Sequence, residues 1–378
     1  MSSREIYPGW GQPPWKIDFT PRRRRLPKEV DFAIIGGGFT GLAAAAWLRH
    51  LAPDKSVAVF EAGRIGAGAS GRTGGMVLAG TASGGQRGLG DVLAGFQSIL
   101  KRLRVRCDLS LSGAWEIGRS GSKCKDSPIS WEDSGTLRVT KEVPGGTLDP
   151  GKLVSGLGRA AERAGALIAE RQPVQRVSWS AFPELEFAAG KLHAKKILFA
   201  MNAMSLDLSG LGEDMHPRLT LAALTAPVSE RLLAAVGLAA RKPFYTVDFP
   251  YLWGRVLKNN SVMFGAGLVA SPDENDLAGV DIASAEPARM FDTLEGRVRR
   301  MHPALTNIRF TRRWGGPILF RDNWTPVFDW HPASRNAIIL GAYAGHGVAL
   351  SSYLAAWAAE ALLGRRKLPA WGAVRVAR

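Results

Sequence analysis

Residues 30–41 read Val-Asp-Phe-Ala-Ile-Ile-Gly-Gly-Gly-Phe-Thr-Gly, and this stretch decides the fold. The apolar run at residues 30–35 predicts a short buried strand, and the alanine-rich residues 40–51 predict a helix that opens on the glycines. Residues 56–60 predict a second apolar strand. A strand, a glycine turn and a helix in this order are typical of a β-α-β unit that binds a dinucleotide.

The three glycines of this fingerprint have separate physical roles. Gly36 makes a tight turn, Gly38 lets the backbone approach a pyrophosphate, and Gly41 lets the helix pack closely on the strand. A phosphate at this turn lies at a helix N-terminus, where N–H groups and the helix dipole favour anions. Glu61 ends the second strand, 20 residues beyond Gly41, which places its carboxylate to accept a hydrogen bond from a ribose 2′-OH.

The glycine-rich loop continues further than a nicotinamide site requires. Residues 61–75 read Glu-Ala-Gly-Arg-Ile-Gly-Ala-Gly-Ala-Ser-Gly-Arg-Thr-Gly-Gly, and flavin adenine dinucleotide (FAD) is a longer ligand, which such a loop would line. The run resembles that of the D-amino-acid-oxidase-like (DAO) superfamily, above all its γ-glutamylputrescine-oxidase-like branch; glycine oxidase and sarcosine oxidase belong to the same group. Residues 314–316, 322–327 and 341–348 resemble the C-terminal flavin segment of that family, in which a helix N-terminus faces the flavin.

The resemblance implies an α/β fold with a glutathione-reductase-like (Rossmann-type) FAD-binding domain, discontinuous in sequence, and an inserted antiparallel β-sheet substrate domain. We expect the FAD-binding domain in residues 29–90, 148–210 and 308–364, and the substrate domain in residues 91–147 and 211–307. Residues 1–28 are predicted to form an extended basic arm, pinned to the body by its tryptophans, and residues 365–378 a basic tail.

The resemblance also implies the residues that contact FAD. The predicted contacts are Gly36, Gly38, Phe39, Thr40, Gly41, Glu61, Ala62, Arg64, Ser70, Arg72, Thr73, Gly74, Gly75, Val174, Gly316, Gly345, His346, Gly347 and Val348. Covalent attachment in the family uses a cysteine or a histidine. Neither Cys107 nor Cys124 lies in a matching segment, and residues 61–75 contain no histidine, so non-covalent binding is expected.

The chemistry that the resemblance implies is oxidation of the C–N bond of an amine or amino acid. A hydride passes to flavin N5, water hydrolyses the imine, and O2 or another acceptor takes the electrons. Candidate catalytic residues are His346, Tyr251 and Arg255; residues 251, 253 and 255 are predicted to share one face of a strand as a cavity wall. The alternatives are a structural histidine at a helix start and a packed sheet face.

Substrate recognition departs from the family pattern. Members that take small α-amino acids commonly hold the carboxylate with an arginine just after a Trp-Gly-Gly-like strand, where this chain has residues 316–318, Gly-Pro-Ile. Arg255, Arg313 or Arg321 is a substitute candidate. Residues 105–147, which help to wall the cavity, are fewer than is usual. Two alternative functions therefore stay open: a flavin dehydrogenase that reduces a quinone or carrier protein, and a flavin-binding accessory protein without independent catalysis.

The net charge of +16 is concentrated at the two ends. Residues 1–28 hold seven basic residues against two acidic ones, a net +5, and residues 364–378 hold five basic residues and no acid, again +5. Solvated ends are the favoured interpretation, so no nucleic-acid partner is expected, and a docking patch for an acidic partner is the alternative. No metal-ligand cluster, export signal or membrane span is evident, and two cysteines favour a reducing cytoplasm.

Overall fold

The fold contains two large β-sheets that meet at the glycine-rich loop. The structure is a computed structural model, and it describes residues 8–119, 126–204, 206–211, 214–270 and 274–374. The strands are β1 (Glu29–Ile35), β2 (Val57–Phe60), β3 (Met76–Leu78), β4 (Ala114–Gly118), β5 (Trp131–Glu132), β6 (Thr136–Val143), β7 (Gly145–Thr147), β8 (Leu167–Ala169), β9 (Arg176–Ser178), β10 (Glu184–Phe187), β11 (Gly190–Phe199), β12 (Met215–Thr225), β13 (Phe244–Thr246), β14 (Trp253–Val256), β15 (Val262–Ala270), β16 (Phe310–Arg321), β17 (Val327–His331) and β18 (Ser334–Gly341). The helices are α1 (Phe39–Leu51), α2 (Val92–Leu103), α3 (Pro150–Arg163), α4 (Leu206–Ser209), α5 (Glu230–Ala235), α6 (Glu274–Gly279), α7 (Ala285–Met301) and α8 (Gly347–Leu362).

The first sheet is parallel over β18, β11, β1, β2 and β8, and β17 joins its edge antiparallel. On it, α1 packs against both α8 and α3. Residues 43–46 are four buried alanines of α1, and their small side chains permit the close approach of α8. Because parallel strands end at one edge of a sheet, the glycine turns that follow β1 and β18 lie together.

The second sheet has the order β16-β12-β15-β14-β13-β4-β6-β5. Its pairs are antiparallel except for β13 and β4, which run parallel. One face buries Phe244 and Phe264 in a core shared with Phe291 of α7, and the other face carries Trp253 and Trp314. The strand β16 pairs with β12 in this sheet, although residues 308–364 are assigned above to the FAD-binding domain; the domain limits stay a prediction.

The strand predicted to carry residues 251, 253 and 255 is wrong in part. Tyr251 lies in a loop because β14 begins only at Trp253; the Leu252 N–H donates to the Thr246 side chain at 2.8 Å, which closes the loop ahead of the ladder. The chain also leaves the parallel sheet soon after β8. β8 joins the parallel sheet, Arg171 then adopts a left-handed backbone conformation (φ 57°), and β9 pairs with β10 instead.

The N-terminal arm is docked along the body. Trp10 is fully buried, and its indole Nε1 donates to the carbonyl oxygen of Leu277 at 3.0 Å. Trp15 donates in the same way to the carbonyl of Thr73 at 2.9 Å, within the glycine loop. Residues 22–25, the four arginines, are exposed. Trp10 and Trp15 therefore pack the described part of the arm on the body, while the arginines at residues 22–25 face solvent.

The C-terminal segment is also tied down as far as residue 374. Trp371 packs against Phe328, with ring centroids 6.4 Å apart. The Val374 N–H donates to the carboxylate of Asp329 at 3.0 Å. The basic side chains of residues 365–367 are exposed; residues 375–378, like Cys124, lie outside the described part of the chain. Within the described residues, no helix has the length and apolar character needed to cross a membrane.

We predict that Trp10→Ala lowers the free energy of unfolding by about 3–5 kcal/mol, because it removes a fully buried indole and leaves a cavity between arm and body. Denaturant titration measures the change. Trp324→Ala is the matched control, since that side chain is 45% exposed and its loss should cost much less. Equal stability of the two variants would show that the arm does not contribute to the fold.

Candidate active site

The turn between β1 and α1 is built on two close backbone approaches. Gly36 has a φ of 110°, and a Cβ placed on it would lie 2.7 Å from the carbonyl oxygen of Ala200. A Cβ on Gly41 would lie 1.9 Å from the carbonyl oxygen of Gly36. Neither position accepts a side chain, so the first and third glycines are required to form the turn itself.

The second glycine of the fingerprint, Gly38, borders open space. Gly38 is the N-cap of α1 without a side-chain hydrogen bond. Within 4 Å, a Cβ on Gly38 would meet only Ser70, whose hydroxyl would be 2.8 Å away. The same hydroxyl accepts a hydrogen bond from the Phe39 N–H at 2.8 Å. The start of α1, Ser70 and the adjoining space therefore form a polar cradle at a helix N-terminus, the kind of position that favours a phosphate.

The Glu61 carboxylate closes the back of this cradle. Its two oxygens accept hydrogen bonds from the N–H groups of Gly37 at 2.7 Å and Gly63 at 2.8 Å. Burial raises the pKa of Glu61, and the two N–H groups oppose that change. Each oxygen keeps further lone pairs for a ribose hydroxyl. The Gln172 N–H donates to the Glu61 carbonyl oxygen at 2.9 Å, and the chain then leads to Val174, which is buried.

A second helix N-terminus lies at the same edge. Gly345 turns the chain with a φ of 87°, and α8 begins at Gly347 with His346 as an N-cap that makes no side-chain capping bond. The buried hydroxyl of Tyr343 lies 2.9 Å from the Thr40 hydroxyl, so it joins this turn to α1. The sequence analysis did not predict the contact between Tyr343 and Thr40. The two residues are 303 positions apart, and no local sequence pattern links residues at that separation.

The imidazole of His346 is neutral in this environment. Burial lowers the pKa of His346 below its ordinary value of 6.5, and its Nδ1 lies 3.4 Å from the Ala344 carbonyl oxygen. At neutral pH the positive end of α8 is therefore the fixed source of positive potential at this turn. Val348 is buried in the first turn of the helix.

Arg72 ties the glycine loop to the arm and to the second sheet. Its Nη1 donates to the carbonyl oxygens of Gly11 at 2.8 Å, Trp10 at 3.2 Å and Gly315 at 3.2 Å. A Cβ on Gly316 would lie 3.3 Å from the Arg72 Cβ, which explains a glycine at that position of β16. The guanidinium predicted to lie near the cofactor thus also binds two segments of backbone, one in the arm and one in β16. Ala62 and Arg64 of the same loop are exposed.

Trp253 and Arg255 both face the glycine loop. A Cβ on Gly74 would lie 2.4 Å from the Trp253 ring. The Arg255 Nη1 donates to the carbonyl oxygens of Gly75 at 3.1 Å and Leu148 at 2.8 Å, and burial lowers the pKa of Arg255 to about 10. Arg255 is therefore charged at neutral pH and bound to backbone. Tyr251 is 41% exposed and lies away from these contacts.

The position expected to hold a substrate carboxylate is apolar. The Ile318 Cδ1 lies 3.4 Å from a Cβ built on Gly345, so this side chain faces the second glycine turn. The three arginines named as substitutes have other partners. Arg255 binds the carbonyls just described, Arg313 pairs with Glu295 at 2.7 Å, and Arg321 pairs with Asp214 at 2.8 Å.

A dinucleotide cradle and a second uncapped helix at one sheet edge define a flavoprotein oxidoreductase, and the family comparison agrees. Residues 31–361 match the DAO family, described as FAD dependent oxidoreductase, and the chain belongs to that family. This confirms the predicted family, fold class and cofactor. Among curated proteins, the chain is similar to γ-glutamylputrescine oxidoreductase of Escherichia coli (strain K12), with 25% identity over 378 aligned residues that cover 88% of this chain and 84% of the relative.

Solved structures show the same fold. Glycine oxidase from Geobacillus kaustophilus superposes with a TM-score of 0.68 and 18% identity, covering 91% of this chain and 97% of that one. L-Proline dehydrogenase from P. horikoshii gives a TM-score of 0.69 and 15% identity, covering 90% of this chain and 95% of that one. The cradle at Gly38 and the two uncapped helix starts fit the phosphates and the flavin edge of FAD.

We predict that Gly38→Val abolishes FAD loading, because the new side chain fills the open space before α1 and crowds the Ser70 hydroxyl. Flavin absorbance per chain after purification measures loading, and release of free FAD on acid denaturation tests the non-covalent attachment. Gly279→Val is the control, since no atom lies within 4 Å of a Cβ built there. Unchanged flavin content in Gly38→Val would contradict this placement of the phosphates.

Proposed function

We propose that the chain oxidises the C–N bond of an amine that carries no carboxylate on the reacting carbon. Ile318 carries this proposal, because an apolar side chain faces the second glycine turn where an α-carboxylate would need a guanidinium. The ion pairs of Arg313 and Arg321 and the backbone bonds of Arg255 support the same conclusion. The similarity to the E. coli γ-glutamylputrescine oxidoreductase is consistent with it.

The protein residues position the substrate and set the local charge. Bound FAD supplies the hydride acceptor, its N5 atom, for the C–H next to the amine nitrogen. Loss of hydride requires the neutral amine, whose lone pair supports it, whereas a free alkylamine has a pKa of about 10. Apolar walls at Ile318 and Trp253 favour the neutral form by desolvation. The N-terminus of α8 stabilises negative charge that lies beside its first turn. Water hydrolyses the released imine.

The exposed arginines at residues 22–25 and Arg365 lie away from this edge, which bears on the electron acceptor. The Lys28 carbonyl accepts a hydrogen bond from the His193 N–H at the start of β1, just after residues 22–25. Arg365, after the end of α8, donates to the Leu51 carbonyl at the end of α1. These described basic residues therefore lie at the amino end of the parallel strands, opposite the glycine turns. This supports O2 or a small acceptor over a docked carrier protein; the cytoplasmic location stays a prediction.

We expect anaerobic n-butylamine to bleach the flavin absorbance of the FAD-loaded protein, and glycine or alanine to do so much more slowly. The rate of reduction should rise with pH as more of the amine becomes neutral. Ile318→Arg should slow the reaction with butylamine and add binding of α-amino acids through their carboxylate. Faster reduction of the parent protein by amino acids than by amines would contradict the proposal, and oxygen consumption under turnover separates an oxidase from a dehydrogenase.

We expect His346→Ala to retain FAD. The rate of flavin reduction should fall by much less than 100-fold, whereas loss of a general acid–base group lowers a rate by roughly 100-fold or more. The reason is that burial lowers the pKa of His346, so the imidazole carries no charge over the neutral and alkaline range. The pH profile of anaerobic reduction should therefore keep its shape. A loss of 100-fold or more, or a shifted profile, would instead make the histidine a direct participant.

A further inference from the structure

A row of side chains crosses the inner face of the second sheet, starting at the glycine loop. Trp253 on β14 is the register partner of Tyr245 on β13, and Tyr245 is the register partner of Glu116 on β4. Register partners project from the same face of a sheet. Because the Trp253 ring lies against Gly74, this is the face that borders the FAD site.

A second contact places β4 beside the same loop. A Cβ on Gly145 of β7 would lie 3.2 Å from the Ala114 Cβ of β4 and 3.2 Å from the Leu78 Cδ2 of β3. β3 directly continues the glycine loop. Glu116 follows Ala114 by two residues on β4, so the side chains of Ala114 and Glu116 project from the same face of the sheet. The Glu116 carboxylate therefore lies on the wall next to the glycine loop.

The Glu116 carboxylate is half-buried and lacks a cation. It accepts a hydrogen bond from the Tyr245 hydroxyl at 3.1 Å, and within the described residues it forms no ion pair. Its register partner on β6, Lys141, is exposed and outside ion-pair distance. Burial, together with the Glu116 carboxylate, raises the pKa of Tyr245. In a chain of net charge +16, an unpaired, partly desolvated carboxylate is a strong site for an external cation.

We propose that Glu116, with the Tyr245 hydroxyl beside it, binds the distal ammonium group of a diamine whose other nitrogen is oxidised at the FAD site. The inference rests on the proposed amine oxidation and specifies its substrate class. A carboxylate supplies a charge-assisted hydrogen bond to an ammonium group. Glu116 is a specificity residue here, because it touches the substrate at a distance from the reacting carbon.

The strand spacing sets the length of the preferred substrate. β14 and β4 are two strand spacings apart, about 10 Å. A short diamine cannot place one nitrogen near Trp253 and the other at Glu116, whereas a flexible six-carbon diamine can. We therefore expect 1,6-diaminohexane to bind more tightly than 1,3-diaminopropane, and more tightly than the matched monoamine, hexylamine.

The test compares Glu116→Gln, Lys141→Gln and the parent, all loaded with FAD. The concentration dependence of anaerobic flavin reduction gives an apparent Kd and a limiting rate for each amine. Glu116→Gln should raise the Kd of 1,6-diaminohexane roughly 10-fold or more, as for loss of a hydrogen bond to a charged group. The Kd of hexylamine and both limiting rates should change little. Lys141→Gln should lower the Kd of the diamine, since it removes a competing positive charge.

A binding measurement without turnover gives an independent readout. The dication 1,6-bis(trimethylammonio)hexane has no amine lone pair and is not oxidised, and its Kd follows from perturbation of the oxidised-flavin spectrum. That Kd should also rise in Glu116→Gln. If Glu116→Gln lowers the FAD content, Glu116→Asp replaces it and must keep the preference for the diamine.

The outcomes separate this inference from the proposed function. Equal Kd values for hexylamine and 1,6-diaminohexane in the parent, or unchanged diamine binding in Glu116→Gln, would overturn the role of Glu116 and leave amine oxidation intact. If no amine reduces the flavin, the proposed function fails. Binding of the quaternary dication then still decides whether Glu116 holds a cation.

Discussion

The contact between α1 and the end of β1 is the closest of the approaches that build the cradle. The Gly36 carbonyl oxygen occupies the place where any Cβ on Gly41 would be, 1.9 Å away. The helix can start there only on a glycine, and this start fixes where its N–H groups point. It also brings Thr40 to Tyr343, so that α8 begins at the same edge as α1. Two helix N-termini therefore lie at one edge of the parallel sheet.

The two sheets are joined by arginines that donate to backbone rather than to carboxylates. Arg72 and Arg255 are both buried, at 8% and 6% exposure, and both lie near indole rings of the arm, Trp10 and Trp15. A buried guanidinium is costly unless its N–H groups are bonded, and backbone carbonyl oxygens accept from the Nη1 of both arginines. The Arg255 Nε has no partner among the described residues. Residues 73–75 lie between Arg72 and the Gly75 carbonyl that Arg255 binds, so this part of the glycine loop is held at both ends.

Local sequence patterns predicted the parts of the molecule that depend on neighbours in the chain. The strand, glycine turn and helix predicted within residues 30–51 are confirmed. Pairings between distant residues were not predictable. The parallel pairing of β13 with β4 brings Tyr245 to Glu116 across 129 residues, and no periodicity encodes it. The carbonyl partners of Arg72 were missed for the same reason.

The docked arm has a consequence for how the protein is made. Trp10 leaves the ribosome early, but its acceptor Leu277 and the strand partner of Gly11, Trp314, are synthesised more than 250 residues later. The indole therefore has no complete binding site during most of translation, although the β-α-β unit that follows it can already form. Arm docking therefore cannot precede the synthesis of Trp314, and it completes the hydrogen bonds from Arg72 to the carbonyls of Trp10 and Gly11. The glycine loop thus gains its contacts with the arm only after most of the chain has been made.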